Sequence, residues 1–276
     1  MCADVVKPNA EPQGRGDFSE TRSSGLAGRL AGRVAVVTGA GRGLGQVAAL
    51  SLAAAGARVA LLGRGMQHLE QTAAAIRDAG GEALILPTDV TQESELQKAA
   101  AAVRQAWGGC EILVNNAGAA MVKPFLETDT GALRGLLDVN LVGAMLCAQV
   151  FGAQMVERRW GRLINMASIA GMVGEPNLAV YSASKGAIIA LTKALAIEWA
   201  RYGVTVNALA PGYFRTDLNE QALSNPDVAE RLLKKIPLRR AGDPAELGPL
   251  LVYLASEDTA FMTGSVLVID GGQVAR

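Results

Sequence analysis

From residue 33 onward, short apolar runs alternate with longer segments of helical period: VAVVTG, LGQVAALSLAAAG, RVALLG, MQHLEQTAAAIRDAG, EALILP. Strand-length runs separated by helix-length segments cannot close as hairpins. They need crossover connections, which make the strands parallel and cover them with helices on both faces. The rhythm continues through a helix at about 92–107, the strand EILVNN, a long helix ending near Arg159, the strand RLINMAS, a helix over about 179–201, the strand VTVNALA and a last strand VLVI at 266–269. The expected fold class is α/β, a single-domain doubly wound parallel sheet of about seven strands. No repeat or low-complexity linker interrupts residues 31–276. Residues 1–30 mix Pro, Gly, Ser and both charge signs without apolar periodicity and read as a flexible N-terminal extension. The one long irregular stretch, about 211–242, follows a strand's carboxyl end, where such sheets bind ligands, and reads as a substrate lid.

Composition narrows the partner. With 26 basic and 26 acidic residues the formal net charge is zero, which gives no electrostatic case for nucleic acid or an anionic membrane surface. No contiguous apolar run approaches the roughly 18 residues that span a bilayer. Arg15, Arg22 and Arg29 hint at a transit peptide, but Asp4, Glu11, Asp17 and Glu20 argue against one. Cys2, Cys110 and Cys147 lack the spacing of a disulfide framework or zinc site and read as reduced thiols of a cytoplasmic protein. His68, the only histidine, has no second ligand nearby; it reads as an ordinary helix-surface residue, and no metal site is expected. A small-molecule partner remains.

The first strand runs into TGAGRGLG and then an Ala-rich helix, which offers backbone N–H groups and a helix N-terminus to a pyrophosphate. Thr38, Gly39, Gly41, Arg42, Gly43, Leu44 and Gly45 form this turn, and its glycines allow close approach. The TGxxxGxG spacing resembles the short-chain dehydrogenase/reductase family, whose sheet is Rossmann-type. The second strand of such a sheet ends in an acid when the cofactor is NAD. Here Gly63 stands in that place, followed by Arg64, so Arg42 and Arg64 are expected to converge on a 2′-phosphate and select NADP(H). The resemblance further implies that Asp89 and Val90 hold the adenine. It also implies that Asn116, Ala117 and Gly118 of NNAG shape the cofactor cleft.

In YSASK, Tyr181 and Lys185 stand four residues apart at the start of a helix and share one face. A tyrosine near pKa 10 is a poor acid–base group at neutral pH. An adjacent ammonium and a positively charged nicotinamide are expected to lower its pKa. Ser168 ends a strand thirteen residues earlier, and Asn140 sits mid-helix, where asparagine is unfavourable. Asn140 reads either as a buried side chain bonded to backbone or, by the family, as the kink of a helix that anchors a water linked to Lys185. Asn140, Ser168, Tyr181 and Lys185 together match the family's tetrad in order and spacing, within a resemblance covering residues 31–272. It implies that hydride passes from NADPH to a carbonyl carbon, that Tyr181 protonates the oxygen, that Ser168 orients it, and that Lys185 also holds the nicotinamide ribose. Pro211, Gly212 and Thr216 then fall where members of the family hold the nicotinamide carboxamide. The tail FMTGSVLVIDGG resembles the strand that packs at a homotetramer interface.

Two subfamilies come closest: 3-oxoacyl-acyl-carrier-protein reductases and gluconate 5-dehydrogenase-like sugar-acid oxidoreductases. APGYFRTDL favours the second, whereas the apolar lid near Tyr213, Phe214, Leu218 and Leu223 suits an acyl chain or other hydrophobic ketone. Carrier-protein docking needs two exposed basic residues; Arg159 matches the first, but Tyr202, with Arg201 before it, occupies the second place. A non-catalytic NADP(H)-binding regulator is a third reading, opposed by the presence of both Tyr181 and Lys185.

Overall fold

β1 (Val34–Thr38), β2 (Arg58–Gly63), β3 (Ala83–Pro87), β4 (Ile112–Asn115), β5 (Gly161–Met166), β6 (Val204–Pro211) and β7 (Val266–Ile269) pair in parallel in one seven-stranded sheet. The order is β3-β2-β1-β4-β5-β6-β7. This computed structural model describes residues 25–216 and 226–275. Most of residues 1–30 lie outside the described part, but Leu30, 1% exposed, already packs into the core.

The period of two along each strand splits the core. On β1, Ala35 and Val37 face one helical layer, while Val34 and Val36 face the other. The first layer is α1 (Gly43–Ala54), α2 (Met66–Asp78) and α8 (Gly248–Ala255), through residues such as Leu52, Leu69 and Leu251. The second is α3 (Glu93–Trp107), α5 (Gly143–Arg158) and α6 (Ala179–Trp199), through Leu96, Phe151 and Trp199. Local chemistry sets the helix ends. α3 stops at Gly108, whose φ of 88° is the left-handed value that glycine adopts without strain. α4 (Thr130–Leu137) starts at Asp129, whose carboxylate accepts from the Ala132 N–H at 2.9 Å.

Three expectations change. α4 and α5 run on through a π-helical segment, Asp138–Val142, so the kink implied at Asn140 takes the form of a one-turn widening, and the Asn140 side chain is buried and bonded to backbone. The stretch at about 211–242 is not irregular throughout: α7 (Pro226–Lys234) lies within it, and a bridge between Phe214 and Gly242 closes its base. Leu218 and Leu223 fall outside the described residues. Finally, the helical stretches Thr130–Arg158 and Ala179–Tyr202 are long and apolar enough to cross a membrane by length and composition. The search for contiguous apolar runs missed them because their apolar character is spread over Ala and Gly between polar residues. Those polar residues, Asn140, Gln154, Lys185 and Thr192 among them, are buried toward the sheet, as in the covering helices of a doubly wound fold.

Candidate active site

Strand order reverses between β1 and β4, and the connections on either side leave a crevice at the carboxyl edge of the sheet. A cleft of about 530 Å³ occupies it. The turn after β1 forms one wall. Gly39 has a φ of 66°, and an ideal Cβ on Gly45 would stand 2.1 Å from the Gly39 carbonyl oxygen, so neither position admits a side chain. Asn116 clamps this turn from β4: its Nδ2 donates to the carbonyls of Thr38 (3.0 Å) and Gly39 (3.3 Å). Thr38 is a brace behind the cleft, its hydroxyl accepting from the N–H groups of Asn116 and Ala117 at 3.0 and 2.9 Å. α1 begins after Arg42 with no side-chain cap and no acid in its first turn, which leaves its N–H groups for an anion. The residues present therefore fit a dinucleotide: a bare backbone turn, a free helix N-terminus and two arginines.

The cleft gathers nearly every residue expected at a cofactor site. Gly39, Gly41, Arg42, Gly43, Leu44, Gly45, Arg64, Asp89, Val90, Asn116, Ala117, Gly118, Pro211, Gly212 and Thr216 all line it. Asp89 is partly engaged within its own loop. Its carboxylate accepts from the Thr91 N–H and hydroxyl at 3.0 and 2.8 Å, and the backbone bond above all holds its pKa below the usual carboxylate value.

At the other end of the same cleft stand Ser168, Tyr181 and Lys185. Ser168 follows β5 and caps a short turn, its Oγ accepting from the Ala170 N–H at 3.1 Å. Tyr181 and Lys185 lie one turn apart in α6, with Lys185 Nζ 5.8 Å from the centre of the Tyr181 ring. Lys185 is buried, its ammonium donates to the Met166 carbonyl at 2.7 Å, and burial pushes its pKa down to about 8. Burial raises the Tyr181 phenol above its ordinary value, while a hydrogen bond with Ser168 acts the other way. In the protein without cofactor the tyrosine is thus raised rather than lowered, because loss of water outweighs the hydrogen bond with Ser168; the expected lowering included a positively charged nicotinamide. Asn140 lies outside the cleft wall: its Nδ2 donates to the Ala119 carbonyl (2.9 Å) and Ser184 Oγ (3.1 Å), and its Oδ1 accepts from the Ala119 N–H (2.8 Å). Asn140 Oδ1 and Lys185 Nζ nonetheless flank the same residue, Gly118.

His68 and Gly65 also line the cleft; sequence reasoning passed over Gly65 and read His68 only as an ordinary helix-surface residue. The available signal was position: each falls within a turn of Arg64, where β2 gives way to α2. Arg159 and Arg201 lie elsewhere. The Arg159 guanidinium donates to the Arg201 carbonyl at 3.0 Å, and the two precede β5 and β6, at the sheet edge opposite the cleft.

A doubly wound parallel sheet with a glycine turn at its switch point and a Ser-Tyr-Lys group across the crevice defines a dinucleotide-binding, Rossmann-type protein. A family model described as Enoyl-(Acyl carrier protein) reductase matches residues 39–273. Galactitol 2-dehydrogenase (L-tagatose-forming) of Cereibacter sphaeroides is 40% identical over 246 residues, 88% of this chain and 96% of that relative. A gluconate 5-dehydrogenase structure from Burkholderia cenocepacia, in complex with NADP and tartrate, superposes with a TM-score of 0.87 at 35% identity, covering 91% of this chain and 99% of that one. An NAD+-bound xylitol dehydrogenase gives a TM-score of 0.85 at 35% identity, over 88% and 99%. The chain belongs to the short-chain dehydrogenase/reductase family, and is an oxidoreductase of the kind that acts on alcohol and ketone groups.

Proposed function

We propose that the protein interconverts a carbonyl and a secondary alcohol of a small molecule by NADP(H)-dependent hydride transfer, with Tyr181 as general acid and base. The observation that carries this reading is that Ser168, Tyr181 and Lys185 line the same end of the cleft, with Lys185 buried and its Nζ 5.8 Å from the centre of the Tyr181 ring. When bound, the dinucleotide supplies hydride to the carbonyl carbon or takes it from the alcohol. Ser168 orients the substrate oxygen, and Tyr181 gives that oxygen its proton in reduction and removes it in oxidation. Lys185, fixed on the Met166 carbonyl, holds the ribose, and Asn140, on the other side of Gly118, anchors a water linked to Lys185. The preference for NADP(H) rests on charge: Gly63 leaves the end of β2 without an acid, while Arg42 and Arg64 line that end of the cleft.

For the substrate, the geometry favours a polyol or sugar acid over a 3-oxoacyl thioester. Phe214, which reaches the cleft wall, is 3% exposed and packs in the core beside Gly242. Next to it, Tyr213 lies under the influence of Glu175, which is ion-paired with Lys235 just after α7 and brings charge to the segment that follows β6. A carrier protein docked on Arg159 and Arg201 would stand at the far edge of the sheet. The same reading takes the protein as a cytoplasmic homotetramer, with Cys110 and Cys147 as free thiols.

The test is NADPH consumption with 5-ketogluconate and, in parallel, a 3-oxoacyl thioester. The keto acid should turn over, and Tyr181→Phe should reduce turnover by at least about 100-fold while NADPH still binds. Activity surviving in Tyr181→Phe removes the role given to that residue. Preference for the thioester reverses the substrate assignment. NADPH binding without turnover of any ketone leaves the non-catalytic regulator.

A further inference from the structure

We infer that His68 is a third binding group for the phosphate on the adenosine ribose, completing with Arg42 and Arg64 a site that discriminates NADP(H) from NAD(H). The inference rests on the NADP(H) reading given above. His68 lies in the first turn of α2 and lines the same end of the cleft as the two arginines. It stands between the segments that carry them. An ideal Cβ on Gly41, next to Arg42, would be 2.8 Å from His68 Cβ, and one on Gly65, next to Arg64, would be 3.1 Å from His68 Nδ1. The imidazole is therefore folded against Gly65 beside the glycine turn.

Its backbone is fixed there. Thr72, fully buried, donates from its hydroxyl to the carbonyls of Ala40 and His68, both at 3.1 Å, and accepts from Gln46 Nε2 at 3.2 Å. One threonine thus ties α2 to the glycine turn and to α1. On its other side α2 is anchored by Leu69, 1% exposed. A side chain leaving this turn one residue before Leu69 is directed by a rigid frame.

Two cations line the same end of the cleft. Arg42 comes from the glycine turn and Arg64 from the end of β2, and α2 has no acid in its first turn. The acid that lines this end, Asp89, is bonded to Thr91 and faces Arg64. Among the described residues no hydrogen bond or ion pair joins this imidazole to a carboxylate, and a phosphate supplies an anionic acceptor for its ring N–H.

The experiment compares NADPH, NADH, 2′,5′-ADP and 5′-AMP binding to the wild type, His68→Ala and His68→Gln by titration calorimetry. A wild type that prefers NADPH, with His68→Ala losing about tenfold for NADPH and 2′,5′-ADP and nothing for NADH and 5′-AMP, supports the inference. Preference for NADPH that is untouched in both variants overturns the role of His68 and leaves the cofactor assignment standing. A wild type that binds NADH as tightly as NADPH overturns the cofactor assignment and, with it, this site. Equal losses for all four ligands assign His68 to packing of the turn and overturn the inference.

Discussion

Lys185 is a cation held where water scarcely reaches it, 6% exposed beneath Tyr181. Burial lowers its pKa in the folded protein from 10.5 to about 8. Below pH 8 both folded and unfolded chains carry the ammonium, and the cost of burying it is felt in full. Between about 8 and 10.5 the folded chain releases the proton while the unfolded chain keeps it, so this residue's contribution to stability rises with pH. Lys185→Met should therefore be inactive yet more stable at pH 7, by up to about 3 kcal/mol, with the gain shrinking toward pH 10. Urea unfolding at the two pH values measures it; a loss of stability at pH 7 would mean that the bond to Met166 outweighs desolvation. At this scale much of the site was legible. Tyr181 and Lys185 share a helix face by spacing alone, and the missing acid at Gly63 is plain in the sequence. The direction of the Tyr181 shift was not legible, because it depends on how much water the surrounding elements exclude. Nor was the place of His68, because spacing says which way a helix faces but not what it faces.

Among the elements, the seam between α5 and α6 shows how little room the sheet's cover leaves. An ideal Cβ on Gly152 would stand 2.4 Å from Cη2 of Trp199, the indole that closes α6. Gly152→Ala has no open space to enter and a rigid ring to displace, so it should destabilise the fold by about 1–3 kcal/mol. The seam lies away from the cleft lining, so NADPH affinity measured below the unfolding transition should be unchanged. Equal stability of the variant would mean that Trp199 repacks freely. The strands were readable to within a residue or two, VLVI at 266–269 without any error, because a buried parallel strand is a dense apolar run. α7 was not, although PDVAERLLK starts on a proline and is amphipathic at the helical period: the whole stretch after β6 was read as irregular.

For the whole molecule, the sheet has two edges, β3 and β7, and both are partly exposed. Val268 on β7 is 37% exposed, Phe261 just before the strand is fully exposed, and Ile197 of α6 is 83% exposed. Apolar groups on an open edge invite pairing with another chain, and the proposed homotetramer gives them a partner. Light scattering should return four times the 28.6 kDa chain mass, and Val268→Lys should give smaller species. A monomeric wild type would remove the tetramer from the reading. The amino-acid sequence by itself determined the class of fold, the glycine turn and the Ser-Tyr-Lys group. These follow from local periodicity, backbone sterics and fixed spacings along one chain. Only the tertiary structure decided that Thr38 braces the turn from behind, that Asn140 lies in a π turn, that Phe214 packs inward and that His68 lines one cleft with the two arginines. Those facts depend on which element packs against which, and burial and electrostatic neighbourhood arise from contacts between residues far apart in the chain.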